Sequence, residues 1–127
     1  MGIITIEGTP KTPSIKFNPQ EGTLEIKGRS IPENSPEFYK PIVDSLDKYA
    51  MNPITPTLVA IQLEYLNTAS SKCILDILKR LESINKKGSQ VNINWYYEED
   101  DEDMKDAGED FQAILNMAFN LIQRDPA

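Results

Sequence analysis

The sequence contains no histidine and a single cysteine, Cys73, among its 127 residues. The lack of histidine excludes Ser-His-Asp and Cys-His catalytic groups, and a lone cysteine excludes an internal disulfide and a Cys/His zinc cluster. Cys73 lies one turn before Ile77 on an amphipathic pattern, so we expect a small core residue and no reactive thiol. Several common enzyme chemistries are therefore excluded.

Basic residues and long apolar runs are also scarce. Lysine and arginine number 13 against 20 aspartate and glutamate residues, which gives a net charge of −7. Such a charge repels phosphate backbones and anionic lipids, so neither nucleic acid nor a membrane is expected as a partner. No segment approaches the roughly 18 apolar residues of a membrane span, and the first residues lack the pattern of a secretion signal. We expect a cytoplasmic protein.

Nucleotide-binding loops are missing from the glycine pattern. The six glycines, at positions 2, 8, 22, 28, 88 and 108, form neither a P-loop nor a dinucleotide fingerprint. The aromatic run Trp95-Tyr96-Tyr97 could stack on bases, but its acidic surroundings favour a strand that turns Trp95 and Tyr97 into the core. No cofactor and no metal ion are expected.

The chain reads as one α/β domain over residues 1–127, with a mixed sheet and helices covering at least one face. Alternating or continuous apolar residues predict strands at 3–6, 14–17, 23–27, 57–66 and 90–97, with the strand at 57–66 in the centre of the sheet. Helical spacing predicts helices at about 35–49 and 69–85, and a third helix that carries Phe111, Ile114 and Leu115. The predicted order is β-β-β-α-β-α-β-α(-β).

The last segment has two interpretations. Residues 118–123 are suited to an edge strand, whereas Ala113, Met117 and Leu121 also fit a helix that would run on from Met104 to Arg124. Periodicity alone leaves this choice open.

Hydroxyl-bearing residues follow the central strand at once, in Asn67-Thr68-Ala69-Ser70-Ser71. In open α/β sheets ligands tend to bind at this carboxyl end of the strands. The commoner role for Asn67 or Thr68 is to cap the helix that follows, by accepting an otherwise unpaired N–H group. A phosphate would also suit the position, since the first-turn N–H groups and the helix dipole favour an anion. Thr68 could therefore be a cap, a modification site, or both.

The acidic run at 98–103 offers a second candidate site. Clustered carboxylates can bind Mg²⁺ or Ca²⁺, but the run does not match an EF-hand, because Lys105 and Asp106 occupy positions that need a ligand and a glycine. A solvated acidic loop is the commoner interpretation, and a loose cation site or a docking patch for a basic partner are the alternatives. The rival function is thus a small Mg²⁺-binding phosphoacceptor or enzyme that uses this loop.

Three sequence segments, taken together, resemble the SiaC family of regulatory phosphoproteins. They are Tyr65-Leu66-Asn67-Thr68-Ala69-Ser70-Ser71-Lys72, Pro32-Glu33-Asn34-Ser35 and Trp95-Tyr96-Tyr97-Glu98-Glu99-Asp100-Asp101. The likeness extends over most of the chain and implies a domain like the anti-sigma-factor antagonists, termed STAS-like, without catalytic activity. It also favours a closing strand at 116–122 over one long helix.

The resemblance implies that the protein acts by partner switching. A dedicated kinase is expected to phosphorylate Thr68, and a PP2C-type phosphatase to remove the phosphate. The unphosphorylated form, monomeric when free, is expected to bind and activate a diguanylate cyclase, which raises cyclic di-GMP and promotes bacterial aggregation or biofilm growth. Asn67, Thr68, Ser70 and Ser71 are expected to line the partner-binding surface.

Overall fold

Residues 2–125 are described in a computed structural model of the chain, and they form six strands and three helices. The elements are β1 (Ile4–Ile6), β2 (Ser14–Asn18), β3 (Thr23–Ser30), α1 (Ser35–Tyr49), β4 (Thr57–Leu66), α2 (Thr68–Lys86), β5 (Val91–Glu98), α3 (Glu102–Ile114) and β6 (Ala118–Arg124). The predicted α/β class and element order are confirmed, and boundaries shift by only a few residues. The largest shift is in β3, which continues three residues past its predicted end.

The closing segment is a strand and not a continuation of α3. At Leu115 the backbone becomes extended, with φ −89° and ψ 145°. The carboxylate of Glu82 on α2 accepts a 2.6 Å hydrogen bond from the backbone N–H of Asn116, which holds the turn in place. β6 then pairs in parallel with β5. Tertiary contacts therefore decide a choice that periodicity left open.

The six strands form one mixed sheet in the order β1-β2-β3-β4-β5-β6. The first two pairings are antiparallel and the last three are parallel, which places β4 in the interior as predicted. Each parallel connection runs through a helix and moves one strand further in the same direction. Because such crossovers are right-handed, successive helices are delivered to the same face of the sheet.

The core lies between that face and the helices. Five residues that lie side by side on neighbouring strands form a buried row across the sheet: Phe17, Leu24, Val59, Ile93 and Phe119. Tyr49 of α1 packs edge-on against Phe17 at 5.4 Å between ring centroids, and α2 packs beside α1. Alternation of buried and exposed residues along the strands thus produces a two-layer sheet-and-helix arrangement.

Helix α3 is fixed to β5 through Trp95. The indole is fully buried, and its N–H donates a 3.0 Å hydrogen bond to the carbonyl of Met104 in the first turn of α3. Phe111 packs edge-on against the same indole. The prediction that Trp95 and Tyr97 point to the core is confirmed for Trp95, and Tyr97 is half-buried against the core.

Among residues 2–125, none of the helices combines the length and the apolar character needed to cross a membrane.

Candidate functional site

Asn67 builds the start of α2. Its backbone is extended, and its side-chain oxygen accepts a 2.8 Å hydrogen bond from the N–H of Ser70. This is the geometry of an N-cap, which satisfies one of the unpaired donors of the first turn. Of the two caps considered from the sequence, Asn67 is therefore the one that is used.

Thr68 is the first residue of α2 and is exposed. The prediction that Thr68 is a cap is wrong, because Asn67 occupies the cap position. Within the described part of the chain, no group forms a hydrogen bond with the Thr68 hydroxyl. The side chain therefore carries a solvent-facing oxygen at the positive end of a helix dipole.

Ser70 lies beneath this surface and is fully buried. Its hydroxyl donates to the Ser30 carbonyl at 3.0 Å, accepts from the Ser30 hydroxyl at 2.8 Å and contacts the Ser35 hydroxyl at 3.2 Å. Ser30 in turn shares a 2.6 Å hydrogen bond with Tyr39, whose pKa burial raises to about 12. The expectation that Ser70 lines the surface is therefore corrected: Ser70 fixes the first turn of α2 from inside.

A groove of about 390 Å³ runs beside Thr68. One side is formed by the end of β4 and the start of α2, and the other by the start of α3. The lining residues are Glu64, Tyr65, Leu66, Asn67, Thr68, Ser71, Asp101, Asp103, Met104 and Ala107. Three of the four residues predicted for the site, Asn67, Thr68 and Ser71, thus lie together in one concave surface.

The acidic run at 98–103 is not a single loop, in contrast to the sequence interpretation. Glu98 ends β5 and forms an ion pair with Arg124 at 3.0 Å. Asp101 caps α3, accepting a 3.0 Å hydrogen bond from the Met104 N–H, and Asp103 lies in the first turn. Acidic side chains are stabilising at these helix positions. Within residues 2–125, no group of three or more His, Cys, Asp or Glu side chains is arranged to bind a metal ion.

Tyr65 forms an exposed aromatic rim of the groove. Its side chain is 47% exposed, and the guanidinium of Arg29 lies 5.6 Å from the ring centroid. A cation at this distance is attracted to the face of the ring. Tyrosine and arginine are both enriched among the residues that contribute most to protein–protein binding.

The far side of the groove was missed from the sequence. Asp101, Asp103, Met104 and Ala107 follow Thr68 by more than thirty residues, and no motif connects them to it. They reach the groove because β4 and β5 are neighbours and α3 follows β5 directly. Ser70 did carry a signal, since it precedes Ile74 by four residues and so continues the buried face of α2 back by one turn.

Cys73 does not line the groove. The thiol is half-buried and packs against the core, as expected. Burial raises the pKa of the thiol, and the nearby Asp76 carboxylate raises it further. Because the thiolate is the nucleophilic form, the position is unsuited to covalent chemistry.

Comparison with known proteins connects nearly the whole chain to one family. The model of the SiaC family of regulatory phosphoproteins matches residues 6–124. An uncharacterised protein of Pseudomonas aeruginosa strain UCBPP-PA14 is 32% identical over 125 residues, which cover 98% of this chain and 99% of that protein.

Solved structures agree with this match. SiaC of Pseudomonas aeruginosa is 31% identical and superimposes with a TM-score of 0.89, over 98% of this chain and 100% of that one. A crystal structure of the diguanylate cyclase SiaD in complex with its activator SiaC, also from Pseudomonas aeruginosa, contains a chain with 31% identity and a TM-score of 0.89. That match covers 95% of this chain and 99% of the other.

Proposed function

Because the chain belongs to the SiaC family of regulatory phosphoproteins, we propose that it is a partner-switching regulator whose unphosphorylated form binds and activates a diguanylate cyclase. Phosphorylation of Thr68 by a cognate kinase blocks that interaction, and a PP2C-type phosphatase restores it. The output is a change in cyclic di-GMP, and with it in bacterial aggregation or biofilm growth.

The observation that carries this proposal is the similarity to a SiaC chain solved in complex with the diguanylate cyclase SiaD as its activator. The similarity extends over nearly the whole chain, so the surfaces available for docking have the same backbone framework. We propose that this chain likewise acts on its cyclase by binding and has no catalytic activity of its own. The lack of histidine and the unreactive setting of Cys73 support this.

The geometry of Thr68 supports its role as the phosphoacceptor. The hydroxyl is exposed and forms no hydrogen bond within residues 2–125, so a kinase can reach it without unfolding the helix. A phosphate at this position lies next to the first-turn N–H groups of α2. It also adds about −1.5 to −2 charges at neutral pH to the groove.

We propose that the partner-binding surface consists of Asn67, Thr68 and Ser71 together with the aromatic rim at Tyr65. Tyr65 offers a large, exposed aromatic surface that a partner can bury. Ser70 supports this surface from beneath through its contacts with Ser30 and Ser35. The free protein is proposed to be a monomeric, cytoplasmic domain over residues 1–127.

Mapping the phosphate tests the acceptor. Incubation with the cognate kinase is expected to add one phosphate to Thr68, because Thr68 has the exposed hydroxyl and Ser70 is enclosed. The measurement is intact-mass and fragment mass spectrometry of the wild-type chain, the Thr68→Ala variant and, as a matched control, the Ser71→Ala variant. Phosphorylation should disappear only in Thr68→Ala. A phosphate on Ser70 or Ser71 that survives Thr68→Ala contradicts the assignment.

A further inference from the structure

The groove beside Thr68 has carboxylates on both sides. Glu64 lies on the β4 side, and Asp101 and Asp103 lie on the α3 side. We call these three residues the acidic wall. Within the described part of the chain, no lysine or arginine lines the groove. A phosphate added to Thr68 thus enters a space whose lining holds negative charge and no basic side chain, although Arg29 lies against the Tyr65 rim.

Two electrostatic effects act on that phosphate in opposite directions. The N–H groups at the start of α2 and the helix dipole attract it. The acidic wall repels it, and solvent and salt weaken this repulsion because Thr68, Glu64 and Asp103 are exposed. Two of the three carboxylates lie at the start of α3, Asp101 on its cap residue and Asp103 in its first turn.

Resting on the proposed phosphorylation of Thr68, we propose that the acidic wall converts the phosphate into a structural signal. Repulsion from Asp101 and Asp103 moves the first turn of α3 away from the start of α2, so the partner-binding groove loses its shape. The phosphate then acts by opening the groove, in addition to any direct contact with a partner.

The protein contains an internal reporter for this movement. Trp95 is the only tryptophan in the chain, and its indole N–H donates to the carbonyl of Met104. Met104 lines the groove in the same turn as Asp103. A displacement of that turn therefore alters the hydrogen bond and the surroundings of the indole, which changes its fluorescence.

The test is a double-mutant cycle on the chain alone. Thr68→Glu supplies a negative charge, and Thr68→Gln is its uncharged counterpart of similar size. Both are made in the wild-type background and in a wall-neutralised background carrying Glu64→Gln, Asp101→Asn and Asp103→Asn. Asparagine caps helices as well as aspartate does, so Asp101→Asn removes charge and keeps the cap.

With the acidic wall intact, Thr68→Glu is expected to be less stable to urea than Thr68→Gln. With the wall neutralised, the order should reverse, because only the attraction to the start of α2 remains. The ratio of the unfolding equilibrium constants of Thr68→Glu and Thr68→Gln should change by about two- to fivefold between the two backgrounds, the range for exposed charges, and this change should shrink in high salt. Trp95 emission should differ between the two Thr68 variants only when the wall is present.

A matched control separates the wall from net charge. Glu7→Gln, Glu109→Gln and Asp110→Asn neutralise three exposed acids outside the groove. In this background the difference in stability to urea between Thr68→Glu and Thr68→Gln should equal the difference in the wild-type background. The inference is overturned if Thr68→Glu and Thr68→Gln differ in stability by the same amount in the wild-type and wall-neutralised backgrounds and Trp95 emission does not change.

The experiments distinguish failure of this inference from failure of the proposed function. Suppose that neutralising the acidic wall does not change the stability difference between Thr68→Glu and Thr68→Gln, and that Thr68→Glu does not bind the cyclase while Thr68→Gln does. The phosphate then acts directly at the interface, and only the inference fails. If neutralising the wall does change that difference but both variants bind the cyclase equally, the inference stands and the proposed switch fails. Mg²⁺ binding to the phosphorylated chain that stabilises it and leaves Trp95 unchanged would show bridging by a cation, which also overturns the inference.

Discussion

Thr68 and Ser70 are two residues apart, and their side chains have opposite environments. A helix rotates by about 100° per residue, so Thr68 faces solvent while Ser70 faces the sheet. The sequence motif identified the hydroxyl cluster but led us to expect both Thr68 and Ser70 at the surface, because the motif contains no information about which face of the helix is buried. The apolar stripe that begins at Ile74 does contain that information, once it is extended back by one turn.

Gly108 shows how closely α3 approaches the sheet. A Cβ atom at this position would lie 2.5 Å from Cδ1 of Trp95 and 2.7 Å from Cδ2 of Leu121. We therefore predict that Gly108→Ala, despite the better helix propensity of alanine, lowers the free energy of unfolding by about 1 to 3 kcal/mol. Urea unfolding followed by Trp95 fluorescence measures this change.

Gly2→Ala is the matched control, because a Cβ atom there meets no atom within 4 Å. Its stability should equal that of the wild type. If Gly108→Ala is as stable as the wild type, the close packing of α3 against Trp95 is wrong.

At the scale of elements, most helices and strands could be predicted and the groove could not. Local signals were sufficient for α1, where Asn34 caps the helix, and for α2, where the apolar stripe is regular. The closing strand was predicted from the family resemblance, because the sequence around residues 118–123 fits a strand and a helix equally well. The groove depends on the placement of α3 beside the end of β4, which is a property of the sheet order.

Glu82 links two elements and gives stability a pH dependence. The N–H of Asn116 donates to its carboxylate and lowers its pKa, burial raises the pKa in part, and the charge of Lys86 lowers it again. Because the folded pKa is below the usual value of 4.5, the contribution is present at neutral pH. It is lost as pH falls below about 4.5 through the lowered pKa.

We predict that Glu82→Gln lowers the free energy of unfolding at pH 7 by about 1 kcal/mol. Glutamine can still accept the hydrogen bond, but a charged acceptor contributes about 1.5 to 3 kcal/mol and a neutral one about 0.5 to 1.5 kcal/mol. The difference from the wild type should shrink as the pH falls through the lowered pKa of Glu82, because a protonated glutamate is neutral like glutamine. Urea unfolding at a series of pH values measures this, with the exposed Glu109→Gln as control. Parallel pH profiles for Glu82→Gln and the wild type would contradict the role of Glu82.

At the scale of the whole molecule, the α/β class, the mixed sheet and the central position of β4 could all be predicted from the sequence. The reason is that connection rules restrict how alternating strands and helices can be arranged. Net charge made nucleic acid and membranes unexpected as partners but did not identify a partner, because charge alone carries no shape. The identity of the proposed partner depends on similarity to SiaC in complex with SiaD.

We propose that the phosphate on Thr68 controls binding to a diguanylate cyclase. The most direct measurement is calorimetric titration of the purified cognate cyclase with the unmodified and the kinase-phosphorylated chain, with cyclic di-GMP production recorded in the same mixtures. We expect the unmodified chain and Thr68→Ala to bind and to raise cyclase activity, and the phosphorylated chain to bind at least tenfold more weakly. Equal affinity and equal activation by both forms would contradict the account.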